Sequence, residues 1–447
     1  MQIQDEYKWL DALFDDLWPL ARSLTGPGIE RTVELLGQAM PLKVERFKSG
    51  STIFDWTVPP EWHLTRARLF DPEGRTVCDT EWSNLHVVGY SEPVDAEFQL
   101  QDLQHHLHSL PNLPDAVPYV TSYYKRTWGF CLSHRQREQL QDGTYRVLIE
   151  SNFVDGSLPI AYAILPGESE REVLLTSYIC HPSLANNELS GPLVLAALFN
   201  RISRWKRRRF TYRFLLNPET IGALCFLSRH HKYLQSNLEY GLVLTCLGGP
   251  KTSLRYKASR PADATIDRVF SAASKEDIPI GESTHCIPYN PLSGSDERQY
   301  GAPGFKLPVG QISRTVYGEY DGYHNSLDNK EFMTIAQLQR SAESIEKALS
   351  YAEVCGRPVN LSPFGEPQLG RRGLYPNMNS ESTRSSSADD TLDGRRQLNA
   401  ILQLLSLADG TTDMFVIAEA ANLSVPQMRR IAEQLEDAGL ISFTTGA

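Results

Sequence analysis

The chain opens on an apolar stripe. Trp9, Leu10, Leu13, Phe14, Leu17 and Leu20 recur at helical spacing in "DEYKWLDALFDDLWPLARSL", and "TGPGIERTVELLGQAM" reads as a Gly/Pro turn followed by a second helix. From about Lys43 the texture changes to short apolar runs broken by turns ("VPPEWH", "FDPEGRTV", "YSEPVDAEF"), which predicts a small β-rich module reaching to about Leu140. After it, "YRVLIESNF", "GSLPIAYAILPG" and "REVLLTSYICH" read as successive strands. The last is a continuous apolar run of the kind buried on both faces. "SGPLVLAALFNRISRW" and "TIGALCFLSRHHKYLQ" read as helices that alternate with the buried strands "FTYRFLLNPE" and "LEYGLVLTCLGG". Such alternation predicts an α/β layered core on a mixed, mostly parallel sheet, with its site at the carboxyl ends of the strands.

A long helix, "TIAQLQRSAESIEKALSYAEV", closes that core, and the polar tract "NMNSESTRSSSADDTLDG" reads as a flexible linker. Three short amphipathic segments and a final strand then follow, the pattern of a winged helix-turn-helix. The expected plan is leading helices over 1–42, an inserted β-rich domain over 43–140, the core over 141–370, a linker over 371–393 and a winged-helix domain over 394–447.

Composition narrows the classes. A chain of 447 residues has room for two or three domains, and a net charge of −10 argues against a protein whose main task is covering nucleic-acid phosphates. In the last predicted helix, "VPQMRRIAEQLEDAGL", Arg429 and Arg430 stand against Glu433, Glu436 and Asp437. This module is therefore expected to serve assembly, as a homo-oligomer contact or a lid, ahead of nucleic acid. Seven scattered cysteines without a Cys-x-x-Cys pair predict reduced thiols and a cytoplasmic address. The start lacks the basic end and apolar core of a secretion signal, and no run approaches a membrane span, so no membrane partner is expected.

Candidate chemistry gathers where buried strands end. His181 closes one strand and is followed by Asn186, Asn187, Glu188 and a Ser190–Gly191 pair that opens a helix; the residue is either a satisfied polar histidine or a metal ligand at the sheet edge. Glu219 ends the next strand, where it serves either as a helix cap or as a working carboxylate. His324, with Asp328 four residues on, is the candidate second imidazole, and Asp296 the candidate partner that orients a ligand or shapes the pocket. Cys180 beside His181 suggests a thiol–imidazole pair, but neighbours on a strand point to opposite faces, so Cys180 reads as a buried apolar residue. In "YVTSYYKRTWGFCLSH" the aromatic and basic cluster is expected to lid the pocket, with Tyr124 and Arg126, together with Arg314 and Tyr323, as substrate contacts.

"TSYICHPSLANNELSGPLVLA", "NPETIG", "SGSDERQYGAPGFKLPVG" and "YGEYDGYHNSLDN", in this order, resemble the bacterial aminopeptidase-like proteins. Those form a side branch of the zinc exopeptidase superfamily of bacterial leucyl aminopeptidase and glutaminyl cyclase. The resemblance covers nearly the whole chain. It implies a three-layer α/β/α zinc-exopeptidase-like core and a metal-activated water that attacks an amide carbonyl. It also implies His181 and His324 as metal ligands and Glu219 as general base.

Departures from the superfamily pattern are as informative. Asn187 stands where a metal-bridging aspartate belongs, Thr220 replaces a glutamate ligand, and Cys246 or a neighbour takes the place of a later aspartate. A neutral amide is a poorer zinc ligand than a carboxylate. One zinc ion held by His181, His324 and one carboxylate is therefore expected; either Glu188 or Glu219 can supply it, and Glu188, in the same loop as His181, is preferred, with Glu219 and Asp296 as the catalytic carboxylates and Asn187 left for substrate contact. The resulting expectation is a zinc-dependent hydrolase cleaving an amide of a small amino-acid-containing or peptide-like substrate in a biosynthetic pathway. Two alternatives stay open: single-zinc acyl transfer of the cyclase type, and a catalytically degenerate binding or regulatory protein.

Overall fold

The computed structural model describes residues 3–375 and 394–443. The opening stripe forms α1 (Ile3–Leu17), and α2 (Pro27–Gly37) starts on a proline, whose missing N–H costs nothing in a first helical turn. Next comes β1 (Lys43–Lys48). Strands β2 (Glu61–Phe70), β3 (Thr76–Asp79), β4 (Val94–Gln99) and β5 (Thr144–Val154) build an antiparallel sheet in the order β3-β2-β5-β4. The larger sheet follows from β6 (Ser157–Leu165), β7 (Glu172–Tyr178), α3 (Ser190–Ile202), β8 (Thr211–Asn217), α4 (Ile221–Asn237) and β9 (Leu238–Leu244). It continues through β10 (Leu254–Lys257), α5 (Thr265–Ser274), β11 (Thr284–Ile287), β12 (Val309–Ser313) and α6 (Ile335–Ala352).

Eight strands join in the order β1-β6-β8-β7-β9-β12-β10-β11. The middle four, β8, β7, β9 and β12, run parallel, while the pairs β1–β6, β6–β8 and β10–β12 are antiparallel, which gives the expected mixed sheet with a parallel centre. Every residue of β7 is buried, as a strand covered on both faces requires.

Two strands lie across the boundaries drawn from the pattern. β1 sets Phe47 opposite Leu158 of β6 and so belongs to the large sheet. β5, read as a first core strand, instead sits between β2 and β4 in the small one. Its burial explains why: Tyr145, Val147 and Ile149 turn inward while Thr144, Arg146 and Glu150 stay out, the period of a sheet covered on one face.

The chain forms two compact units, residues 1–262 with 285–344, and residues 263–284 with 345–447. In the second, α7 (Gly394–Leu407), α8 (Met414–Ala420) and α9 (Val425–Asp437) accompany a two-stranded wing. That wing pairs β13 (Pro358–Asn360) antiparallel with β14 (Ile441–Phe443), so residues 358–360, assigned to the core by the pattern, belong with the C-terminal helices. The linker expected over 371–393 lies outside the described residues from 376 onward. No helix among the described residues is long and apolar enough to cross a membrane.

Candidate metal and catalytic site

The site forms where β7 and β8 end. β7 stops at Tyr178, so strand alternation no longer governs Cys180 and His181. Cys180 Sγ lies 3.4 Å from His181 Nδ1, which corrects the expectation that the two diverge. The loop then enters a single π turn, Ala185–Leu189, a wide turn of a kind that recurs at functional sites. It brings Glu188 back onto the histidine, Oε2 standing 2.8 Å from Nδ1. Asp328 fastens the turn by accepting from the Asn186 and Asn187 amides at 2.6 and 2.8 Å. Burial pushes the Asp328 carboxyl up to about 6 against the pull of those amides. At Gly191 a Cβ would fall 2.1 Å from Ser177 Oγ and 2.4 Å from Leu244 O, so only glycine lets α3 start this close to the sheet.

Past β8 the chain reverses at Thr220 with φ 62°, a strained choice for a β-branched residue. Asp296 holds the reversal: Oδ1 accepts from Thr220 N at 2.7 Å and Oδ2 from Asn217 Nδ2 at 2.9 Å. Ser295 donates to Glu219 Oε1 at 2.6 Å, and Glu219 Oε2 stands 3.8 Å from His181 Nε2. Burial raises the Glu219 carboxyl above its ordinary range; Glu188 and Glu297 add to this, while His181 and Ser295 oppose it. Asp296 is raised to about 7 by burial and the Glu219 charge. Its partners are Asn217 and a backbone amide, so Asp296 braces the Glu219–Thr220 turn.

His324 arrives from the far end of the unit, its ring centre 5.4 Å from that of His181 and its backbone also left-handed, at φ 58°. Residues 117–119 run beside it. Tyr119 N donates to His324 O at 2.8 Å, Ser326 N to Val117 O at 2.9 Å, and Pro118 bridges to Asn325. The Tyr119 ring thereby stands 5.1 Å from His181 and 5.4 Å from His324. Tyr119 opens the aromatic and basic stretch from which Tyr124 and Arg126 are expected as contacts. Tyr124 is exposed and packs edge-on against Trp56, and Arg126 lies 3.7 Å over the Phe153 ring. Arg314 is buried and donates to Ser341 Oγ and Lys251 O. These three side chains are engaged within their own surroundings and do not line the pocket of Glu219, whereas Asn187 and Tyr323 do.

Electrostatics tie the cluster together. Burial alone would lower the His181 imidazole, but Cys180 and Glu188 beside it raise it well above its ordinary value. His324 is pushed down to about 3 by burial and by the His181 charge, and burial holds the Cys180 thiol up at about 11, far from a ready thiolate. Arg22, which no local pattern singled out, is buried and donates to His181 O at 3.0 Å; burial lowers it to about 10 against Glu188 and Cys180.

Among the described residues, Glu188 Oε1 and Asn187 Oδ1 are both buried without a hydrogen-bond partner. An orphaned carboxylate oxygen in a dry site is costly unless a cation meets it. Ligand atoms of Cys180, His181 and Glu188 lie within 4.8 Å of one another, a mix of sulfur, nitrogen and oxygen donors that suits zinc. The residues present therefore fit a divalent metal.

Comparison with known proteins defines first a class. A zinc aminopeptidase from Bacillus subtilis superposes with a TM-score of 0.56 over 78% of this chain and 94% of that one, at 11% identity, a likeness of fold alone. A Clostridium acetobutylicum crystal structure, provisionally assigned as a peptidase, matches at a TM-score of 0.83 and 34% identity over 99% and 98% of the two chains. From the same organism, a protein provisionally described as a polysaccharide biosynthesis protein with an aminopeptidase-like domain is 37% identical over 95% of this chain and 93% of its own. The model of the domain of unknown function DUF4910 matches residues 11–354, and that of a winged helix-turn-helix matches 357–443. The chain belongs to the DUF4910 family, with an aminopeptidase-like fold and a C-terminal winged helix, and the resemblance read from its motifs is borne out.

Proposed function

We propose that the protein is a zinc-dependent aminopeptidase-like hydrolase that cleaves an amide bond in a small amino-acid-containing substrate. The observation that carries this is the buried oxygen of Glu188, unpartnered among the described residues, beside a His181 whose Nε2 stands 3.8 Å from the raised carboxyl of Glu219. His181, Glu188 and His324 would hold one zinc, with Cys180 at their side; bound there, the metal supplies Lewis acidity and a more acidic water. Glu188 has one oxygen for His181 and one left over. Ser295 occupies Glu219 Oε1, so Oε2 is the atom left to accept a proton and return it to the leaving amine. A carboxyl raised toward neutrality suits both halves of that task. Asp296 and Asn217 keep the turn, and hence Glu219, in place. Tyr119 packs against both imidazoles and Tyr323 stacks on His324 at 4.0 Å, which fixes the two rings. A role in a biosynthetic pathway is supported by the description of the Clostridium acetobutylicum relative.

Asn187 and Thr220, which are neutral, favour a second reading, a binding protein that has lost catalysis. Elemental analysis separates the two. The hydrolase binds about one equivalent of zinc, lost in His181→Ala and His324→Ala. Glu219→Gln keeps the zinc and loses on the order of a hundredfold or more in amide hydrolysis. A protein that takes up no zinc when zinc is supplied is not this enzyme. Product analysis distinguishes hydrolysis from single-zinc acyl transfer or cyclisation on the same residues.

A further inference from the structure

The pocket of Glu219 has a second end. There β10 lies against β12, with Arg255 opposite Ser313 and Lys257 opposite Gln311. Residues two apart on a strand share a face, and Arg255, Lys257 and Gln311 all line the pocket. Lys257 is fully engaged: its Nζ donates to Glu297 and to the carbonyls of Asn290 and Ser293, anchoring the loop that carries Ser295. Arg255 is not. Its side chain meets Glu319 through Nη1 at 3.1 Å, and the same carboxylate also takes Lys251 at 2.9 Å and the Val316 amide at 3.1 Å.

Two cations thus share one carboxylate, which leaves this corner net positive, with Arg255 Nε and Nη2 unpartnered among the described residues. Gln311 is 8% exposed, and its side-chain amide makes no hydrogen bond among the described residues either. Tyr317 and Tyr323 stand alongside, ring centres 5.6 Å apart. The proposed hydrolysis uses neither Arg255 nor Gln311. A guanidinium with a free edge and an uncommitted amide that line one pocket supply the donors that a carboxylate accepts.

We infer that this pocket takes substrates that carry a free carboxylate in addition to the reacting amide, Arg255 being the specificity-determining residue and Gln311 a second contact. This rests on the pocket of Glu219 being the active site, but not on the metal. The carboxylate can belong to a short peptide or to a sugar acid. Calorimetry on the full chain, with and without zinc, therefore uses two matched pairs: alanylglycine against its C-terminal amide, and glucuronate against glucuronamide.

In at least one pair the acid is expected to bind about tenfold tighter than the amide, with the preference shrinking as salt rises. Arg255→Met brings that ratio close to one, chiefly by weakening the acid. Glu319→Gln, which frees Arg255 further, tightens the acid and keeps the test in force should Arg255→Met fold poorly. Equal binding of acid and amide in both pairs, no saturable binding of either acid at millimolar concentration, or an acid preference that survives Arg255→Met would each overturn the assignment. Loss of the zinc reading alone would leave the acid preference standing, so the two failures are distinguishable.

Discussion

Asp296 works at one remove from the chemistry, and its protonation makes that role measurable. Buried beside Glu219, its carboxyl titrates near 7 rather than 3.8, so across that window the folded protein holds a proton that the unfolded chain has released. Stability should therefore fall as pH rises from about 4 to 7, by up to about 4 kcal/mol from this group. Urea denaturation across that range should show a flatter profile in Asp296→Asn than in the parent, whatever the substitution costs at a single pH. At this scale the sequence marked the strand ends that present a polar residue, His181 and Glu219, and the structure brings those two side chains to 3.8 Å. The sequence was not legible for Arg22 and Tyr119, which reach His181 from distant segments with no local pattern to mark them. Arg314 misled for the opposite reason: a charged residue near a motif looks functional until its buried guanidinium proves to be tying Ser341 to Lys251.

Elements explain how the cluster is assembled. Ser183, Thr220, Cys246 and His324 all adopt left-handed backbone conformations, with φ between 47° and 62°, and each lies in a loop that enters or borders the site. The π turn adds Glu188 to the set and presents Asn187 with its Oδ1 unpartnered. Asn187→Asp would place another negative charge among Glu188 and Glu219 and lose the amide donor to Tyr178 OH. In metal-free protein it should cost about 2 kcal/mol, a loss that saturating zinc largely restores. Melting curves with chelator and with zinc check this. The element types were readable from periodicity, because β7 and β8 are unbroken apolar runs and the helices carry clear stripes. What periodicity could not supply was partnership: β1 and β5 exchange sheets relative to their neighbours in sequence, and β13 joins a strand more than eighty residues further on.

At the scale of the whole molecule, the family matches suggest a core ending at 354 and a wing beginning at 357, as though one cut would separate them. The compact units do not follow that line. α5 buries Ile266, Val269 and Phe270 within a unit whose remaining chain begins at 345, and Arg268 pairs with Asp413 at 3.5 Å. A chain ended after residue 356 should therefore expose an apolar helix face, bind a hydrophobic dye and melt at least about 5 °C lower than the full chain. An unchanged melting curve would show α5 to be stable without the wing.

The same crossings of the chain, after 262, 284 and 344, carry a consequence for birth order. On the ribosome α5 emerges on the order of ten seconds before the helices that complete its unit. During that interval residues 285–344 must be threaded back to finish the unit that holds the site. Maturation of the candidate pocket and of the winged helix are thus interleaved in time, and a gene that exchanged its winged helix at a single junction would leave a helix behind.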